Sequence, residues 1–252
     1  MTTTRTAASV ALRAAVAART EELFRRAGAL REGHFRLKSG RHSDRYLEKF
    51  QVLQFPEITS ELCAMLAAYG RDPVGREPVG RDPVRREESG RDPGGAAVDL
   101  VAGPTIGGVI LAFETARQLG VRSLFAEEVR HAEGSHREFR RGFTIGEGER
   151  VLLVDDILTT GGSLAAMLPA VERFGGEVAR AVVLVDRSGG QESLRSPHSG
   201  RDYPVEALWR LDLPTWEAGD DCPGCAGGLP LVEPGSGGAA GGGRAADGAG
   251  TA

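Results

Sequence analysis

Cysteine, lysine and long apolar runs are all scarce in this chain of 252 residues. Three cysteines are too few for a disulfide framework, so a reducing cytoplasm is the expected setting. No stretch approaches the ~18 apolar residues that a membrane helix needs, so no membrane partner is expected. A formal charge of −4 gives no general pull toward nucleic acid, and none is expected to bind; any polyanion must be held by a local site. Only Lys38 and Lys49 are lysine, and the other basic residues are 29 arginines. What is present, 40% apolar and 26% charged residues, describes a globular chain and rules out a collagen-like or wholly disordered one.

Glycine is unevenly spread: residues 235–252 hold eight of the 36 with almost no apolar bulk, which predicts a disordered tail. A Gly-Arg-acid-Pro repeat fills 70–95, where 71–95 carries six arginines against six acids. Its period is too short for a solenoid and proline recurs too often for a helix, so it reads as a flexible insertion in a surface loop. The remaining 209 residues suffice for a substantial core. The first twenty residues carry Arg5, Arg13 and Arg19 with no acid before Glu21, but read as an ordinary helix rather than a targeting segment.

Periodicity predicts helices over 7–30 and 58–69 and a hairpin or extended pair over 35–50. The first helix and that pair are expected to form a smaller lobe outside the sheet. Further on it predicts a strand at 98–102, a helix closed by Gly120, and a strand at 121–126 followed by a polar stretch. A strand at 151–154, a helix over 164–174 with Pro169 as a kink, and a strand at 178–185 complete the pattern. This order argues for an α/β fold, a mostly parallel sheet flanked by helices on both faces.

The segment richest in chemistry is Val151-Leu152-Leu153-Val154-Asp155-Asp156-Ile157-Leu158-Thr159-Thr160-Gly161-Gly162-Ser163. Four apolar residues make a buried strand whose C-terminal end is where open α/β sheets bind ligands. Two carboxylates follow, then a turn of hydroxyls and glycines that opens into a helix. Such a turn aims backbone amides inward at a helix N-terminus, which makes a phosphate cradle. It is neither a Walker loop nor a dinucleotide fingerprint. Two acids beside a phosphate would repel it unless they face vicinal hydroxyls or Mg²⁺, so a sugar phosphate fits both halves.

These thirteen residues resemble the phosphoribosyl-pyrophosphate (PRPP) motif of the type I phosphoribosyltransferases. More narrowly, 33–213 is similar to the orotate phosphoribosyltransferases. The resemblance implies that Asp155 and Asp156 hold the ribose hydroxyls and act in catalysis. It assigns Ile157, Leu158, Thr159, Thr160, Gly161, Gly162 and Ser163 to PRPP, with Thr159 also near the base. Leu37-Lys38-Ser39-Gly40-Arg41 is similar to an element whose lysine lies between PRPP and orotate, and Tyr46 falls where the family stacks an aromatic pair. With Leu47 as its neighbour, Tyr46 reads equally as core. Asp186-Arg187 matches a strand-end pair whose arginine meets the orotate carboxylate, a bidentate role suited to guanidinium. Gly103-Pro104-Thr105-Ile106-Gly107 looks like the pyrophosphate loop, with Gly107 where the family often has lysine.

The family's mobile loop corresponds to 127–138. There Arg130 and His136 would serve catalysis and, with His131, PRPP binding, while the key lysine falls on Gly134. Arg137, Arg140 or Arg141 could supply that cation from a shifted position; the alternative is a plain solvated loop. The resemblance thus implies a cytoplasmic pentosyltransferase that converts orotate and PRPP to orotidine 5′-monophosphate and pyrophosphate in UMP synthesis. It implies Mg²⁺ carried mainly by PRPP, no protein metal site, and a homodimer. It divides the chain into N-terminal helices with a hood segment (1–69), the insertion (70–95), a PRPP-binding core (96–213), a C-terminal extension (214–234) and the tail (235–252). A PRPP-sensing regulator and a purine transferase stay open as alternatives. Cys222-Pro223-Gly224-Cys225 is half of a four-ligand zinc site with no second pair nearby in sequence, and Cys63 falls on a helix, so all three read as ordinary thiols.

Overall fold

Val151–Val154 and Val182–Val185 are uninterrupted apolar runs, the pattern of strands covered on both faces, and they lie at the centre of the sheet. A computed structural model describes residues 2–37, 39–71, 97–131 and 134–234. Lys38, most of the 70–95 insertion and the 235–252 tail therefore lie outside the described residues. The chain divides into two units, Met1–Arg31 with Leu47–Asp212, and Glu32–Tyr46 with Leu213–Ala252.

The larger unit is built on a seven-stranded sheet. Its strands are β3 (Leu100–Pro104), β4 (Arg122–His131), β5 (Gly134–Glu138), β6 (Arg150–Leu158), β7 (Glu177–Asp186), β8 (Ser193–Arg195) and β9 (Asp202–Arg210). The spatial order is β5-β4-β3-β6-β7-β9-β8. The five central strands run parallel, and β5 and β8 join the edges antiparallel. Chain order runs from β3 toward β4 on one side and from β6 toward β7 on the other. The switch point between β3 and β6 is thus the crevice where such sheets bind ligands.

Helices α1 (Thr2–Arg26), α2 (Lys49–Leu53), α3 (Pro56–Arg71), α4 (Gly107–Leu119), α5 (Gly162–Ala165) and α6 (Leu168–Arg173) accompany the sheet. The first helix, expected in a small lobe outside the sheet, belongs instead to the larger unit. Leu23 and Phe24 are buried, and the Phe24 ring packs 5.8 Å from that of Trp209 on β9. Gly120 ends α4 in a left-handed conformation, φ +67°, as expected of a glycine C-cap. The kinked helix expected over 164–174 is two separate helices, because Pro169 occupies the start of α6, where a missing N–H costs nothing. The polar stretch after 126, expected as a loop, is an antiparallel hairpin that pairs Glu127 with Glu138 through to His131 with Gly134. No helix among the described residues is long and apolar enough to cross a membrane.

The smaller unit holds a three-stranded sheet in the order β10-β1-β2, from β1 (Leu30–Arg36), β2 (His42–Leu47) and β10 (Leu231–Val232). The extended pair expected over 35–50 is thus present, joined by a third strand from the C-terminal segment. A one-turn helix, α7 (Pro223–Ala226), lies in that same segment.

Gly103 on β3 and Gly108 on α4 sit back to back. A Cβ on Gly103 would stand 2.3 Å from the Gly108 carbonyl oxygen, and one on Gly108 would stand 2.5 Å from Pro104 Cδ. Because backbone cannot step aside, Gly103→Ala is expected to lower stability by about 1–3 kcal/mol. A shifted urea midpoint at unchanged slope would register it, and an unchanged midpoint would contradict this close approach.

Candidate active site

The PRPP-like motif lies across the end of β6. The strand runs through both carboxylates to Leu158, so Asp155 and Asp156 alternate between its faces. Both are buried. Asp155 faces the glycine turn, where its carboxylate is hydrogen-bonded to Ser163, and its Oδ1 accepts the Asp156 amide at 2.8 Å. Asp156 faces the end of β3. Its Oδ1 accepts from Lys49 Nζ at 3.0 Å and from the Ile157 amide at 2.7 Å, while its Oδ2 lies 2.8 Å from the same ammonium. Burial and the neighbouring Asp156 charge push the Asp155 carboxyl up to about 7, against the opposing pull of Lys49 and Ser163.

Lys49, on α2, is a residue that sequence reasoning missed. The available signal was compositional, since it is one of only two lysines in the chain. Its position also accounts for Gly107. A Cβ at 107 would stand 1.9 Å from Asp156 Oδ2, so a side chain there cannot coexist with the carboxylate where it lies. Glycine at this place keeps the strand-end acid close to the β3 loop.

The turn after β6 has Gly161 in the left-handed region, φ +74°, at the N-cap of α5. Thr159, Thr160, Gly162 and Ser163 are exposed there, and first-turn amides have no partner within their own helix. Leu158 meets the turn through its backbone alone. Its side chain is buried in the core, and its carbonyl accepts the Arg187 amide at 2.7 Å. Ile157 is half-buried on the strand.

On the neighbouring strand end, Gly103 and Pro104 are buried on β3, Thr105 and Ile106 bridge to α4, and Ile106 is 72% exposed. The Thr105–Ile106 peptide is cis, and the Thr105 amide donates to the Ala126 carbonyl at 3.1 Å.

Of the three arginines considered for the missing lysine, one reaches both loops. Arg137, on β5, donates through Nη1 to Thr105 Oγ1 at 2.9 Å and lies 3.5 Å through Nη2 from Ser163 Oγ. Arg141 is instead paired with Glu127 at 2.6 Å, and Arg140 lies 4.0 Å from Glu138. Arg130 is paired with Glu128 at 3.0 Å, and His136 Nε2 meets Glu138 Oε1 at 2.7 Å, so both engage acids of their own hairpin. His131 pairs with Gly134 at the hairpin's end.

Arg187 follows β7 and is half-buried beside Asp186, whose Oδ1 accepts from Ser188 N and Oγ. Tyr46 is half-buried on β2 and packs against Phe35 with ring centroids 5.7 Å apart. Lys38 lies outside the described residues. The thiols read as ordinary differ between themselves: Cys63 is buried on α3, where burial pushes it up to about 12, whereas Cys222 and Cys225 converge with His34 and His42. Sequence spacing could not reveal that convergence, because the histidines lie in the N-terminal part of the chain.

A family model described as a phosphoribosyl transferase domain matches residues 87–205. The orotate phosphoribosyltransferase of Pelotomaculum thermopropionicum is 42% identical over 214 residues, covering 85% of this chain and 94% of that protein. That of Caldicellulosiruptor saccharolyticus is 39% identical over 215 residues, with the same two coverages. Among solved structures, orotate phosphoribosyltransferase from Aeropyrum pernix aligns at a TM-score of 0.56 and 24% identity, over 75% of this chain and 92% of that one, a likeness of fold.

The Asp155 carboxyl titrates above its unfolded value of 3.8, so its contribution to stability is complete below about pH 4 and is lost as pH rises through about 7. Carboxyl-carbon NMR is expected to place its midpoint near neutrality. Lys49→Ala should move that midpoint upward, because Lys49 favours the charged form. A midpoint near 4 in the parent protein would refute the burial described for this acid.

Proposed function

The chain belongs to the orotate phosphoribosyltransferases, and from that premise we propose that the crevice between β3 and β6 transfers ribose 5-phosphate from PRPP to orotate. The products are orotidine 5′-monophosphate and pyrophosphate, as pyrimidine biosynthesis requires. The observation that carries the reading is the meeting of two loops. The Asp155–Ser163 turn and the Gly103–Gly107 loop end adjacent parallel strands, and Arg137 touches both.

PRPP presents a phosphate at one end, two hydroxyls in the middle and a pyrophosphate leaving group on the anomeric carbon. The Thr159–Ser163 turn suits the 5′-phosphate, with exposed amides and hydroxyls at a helix N-terminus. Asp155, the carboxylate not paired with a lysine, suits the ribose hydroxyls, which donate to it and thereby favour its charged form. The Ile106 and Gly107 amides at the start of α4 suit the pyrophosphate, and Arg137 adds positive charge between the two phosphate ends. In the reaction the bond from the anomeric carbon to pyrophosphate breaks, and the electron pair departs with the pyrophosphate. A ring nitrogen of orotate supplies the pair for the new bond, and its proton passes to solvent or to the departing pyrophosphate. Fixed charges aimed at the departing group are the type of stabilisation that dominates such transfers. Arg187 suits the orotate carboxylate, a planar fork on a planar anion, and this chemistry favours orotate over a purine.

Mg²⁺ enters this reading with the substrate, on the oxygens of PRPP. The described residues offer it no carboxylate cage: Asp156 is ion-paired to Lys49, and the one cluster of three or more potential ligands carries nitrogen and sulfur. Arg130, His131 and His136 on the β4–β5 hairpin belong to the same proposal, as residues that close over pyrophosphate in the partner subunit of a homodimer. A cytoplasmic setting completes it.

The first test is depletion of orotate absorbance, expected only with PRPP and Mg²⁺ together. Asp155→Asn combined with Asp156→Asn should abolish it while the circular dichroism spectrum is retained; undiminished turnover would refute the assignment. Arg137→Ala is expected to lower kcat on the order of 10²–10³-fold, the usual loss for a donor aimed at developing charge. Arg187→Ala should raise the KM for orotate and leave that for PRPP in place, and the reverse pattern would mean that Arg187 serves the other substrate.

A further inference from the structure

The segment 213–234 is weakly anchored by apolar burial. Of its residues only Cys222 and Gly224 are buried, while Leu229, Leu231 and Val232 stay exposed. Yet it follows a defined course along β1 and β2. His42 and Trp216 exchange backbone hydrogen bonds at 2.8 and 2.9 Å, and β10 pairs parallel with His34 and Phe35. Both buried residues of the segment lie in the Cys222-Pro223-Gly224-Cys225 turn, against the two buried histidines of the smaller unit's strands.

Four ligating atoms meet there, all within 4.8 Å of one another. Cys222 Sγ lies 3.5 Å from His34 Nε2. Cys225 Sγ lies 3.6 Å from His34 Nε2 and 3.3 Å from His42 Nδ1, and the two ring nitrogens are 2.8 Å apart. A tetrahedral zinc with Zn–N near 2.0 Å and Zn–S near 2.3 Å requires ligand separations of about 3.3–3.8 Å. Three of the four nitrogen–sulfur edges fall in that range, the fourth and the sulfur–sulfur edge lie within 4.8 Å, and the nitrogen pair needs to open by about half an ångström.

A second observation gives one ligand, His34, the tautomer that a metal needs, while at His42 Nδ1, 2.8 Å from His34 Nε2, the shared proton leaves as the ion enters. His34 Nδ1 lies 2.9 Å from the Leu229 carbonyl, which can only accept, so Nδ1 carries the proton and Nε2 directs a lone pair into the cluster. This is the outer-shell contact typical of a ligating histidine. Gly224 answers to the same geometry: a Cβ there would stand 2.4 Å from His34 Cγ, so the turn accepts only glycine if it is to close on the ring.

We propose that His34, His42, Cys222 and Cys225 bind one Zn²⁺ as a closed, structural S₂N₂ site that fastens the C-terminal segment to β1 and β2. Two thiolates and two imidazoles at tetrahedral spacing select zinc among the common divalent ions. The four side chains fill the coordination sphere, so the ion holds structure and has no open position for a substrate. A unit this small, with so few buried apolar residues, is of the kind that a metal staple stabilises. Arg41, next to the start of β2, adds hydrogen bonds to Thr215 Oγ1 and O at 2.9 and 2.8 Å.

The test is metal analysis of the full chain purified under reducing conditions. The expected result is about one zinc per chain, the stoichiometry of a single four-ligand site. Cobalt exchanged into the protein should give thiolate charge-transfer bands with intense visible bands of tetrahedral geometry. Cys222→Ser combined with Cys225→Ser should lose both signals, whereas Cys225→His, which keeps a ligand, should retain metal. Zinc removal should raise amide hydrogen exchange across 213–234 and leave the core strands β6 and β7 protected. Protein that holds no zinc as purified or after incubation with Zn²⁺, with 213–234 protected all the same, would overturn the proposal. So would undiminished zinc in the double serine variant, or a Cys222–Cys225 disulfide in the reduced preparation. None of these readouts involves orotate or PRPP, so the zinc assignment and the proposed reaction stand or fall separately.

Discussion

The Asp156 carboxylate is the constraint about which the crevice is arranged. A buried carboxylate requires a counter-charge, and removing one partner of a buried pair is far more costly than never having made it. Lys49 supplies that charge, which obliges α2 to lie beside the end of β6. The same carboxylate occupies the space a side chain at 107 would need, which obliges the first residue of α4 to be glycine. The approach of Gly103 to Gly108 then holds the start of α4 against β3. With Asp156 paired to Lys49, Asp155 is the acid whose carboxyl is pushed toward neutrality by burial and its neighbour's charge. A single ion pair thereby sets the spacing of two loops and leaves one of two adjacent aspartates without a lysine partner.

The two departures from the family pattern have different physical origins. Glycine at 107 is imposed by local space. Glycine at 134 begins the short strand β5, and three residues later the chain places Arg137 against both the Thr105 loop and the Ser163 turn. In a chain with 29 arginines and two lysines, a guanidinium reaches two hydroxyls from two separate nitrogens, whereas an ammonium donates from one point.

The parts of the fold legible in the sequence were those in which burial leaves a pattern. β3, β6 and β7 read as strands because both faces are covered. Gly120 marked the end of α4 because a left-handed cap favours glycine. β9 was not read, since Asp202–Arg210 includes Pro204 and Glu206 and shows neither a clean run nor clean alternation. The β4–β5 hairpin was not read either, because its pairing resides in the backbone and its side chains are charged. The thirteen-residue motif stood out because strand, acids and turn are contiguous. Lys49 with Asp156, and His34 with Cys222, are contacts made by the tertiary fold between distant segments, and local periodicity carries no trace of them.

The position of β5 has a consequence for solubility. A sheet that ended in an open parallel strand would present a row of unpaired amides and carbonyls to any other chain, whereas this one closes on each side with a strand of three or five residues. One of those borders is the strand that bears His136, Arg137 and Glu138. Charge at this rim therefore also acts as a gatekeeper against edge-to-edge self-association. Variants that strip it to dissect chemistry will meet a colloidal penalty in addition to a kinetic one.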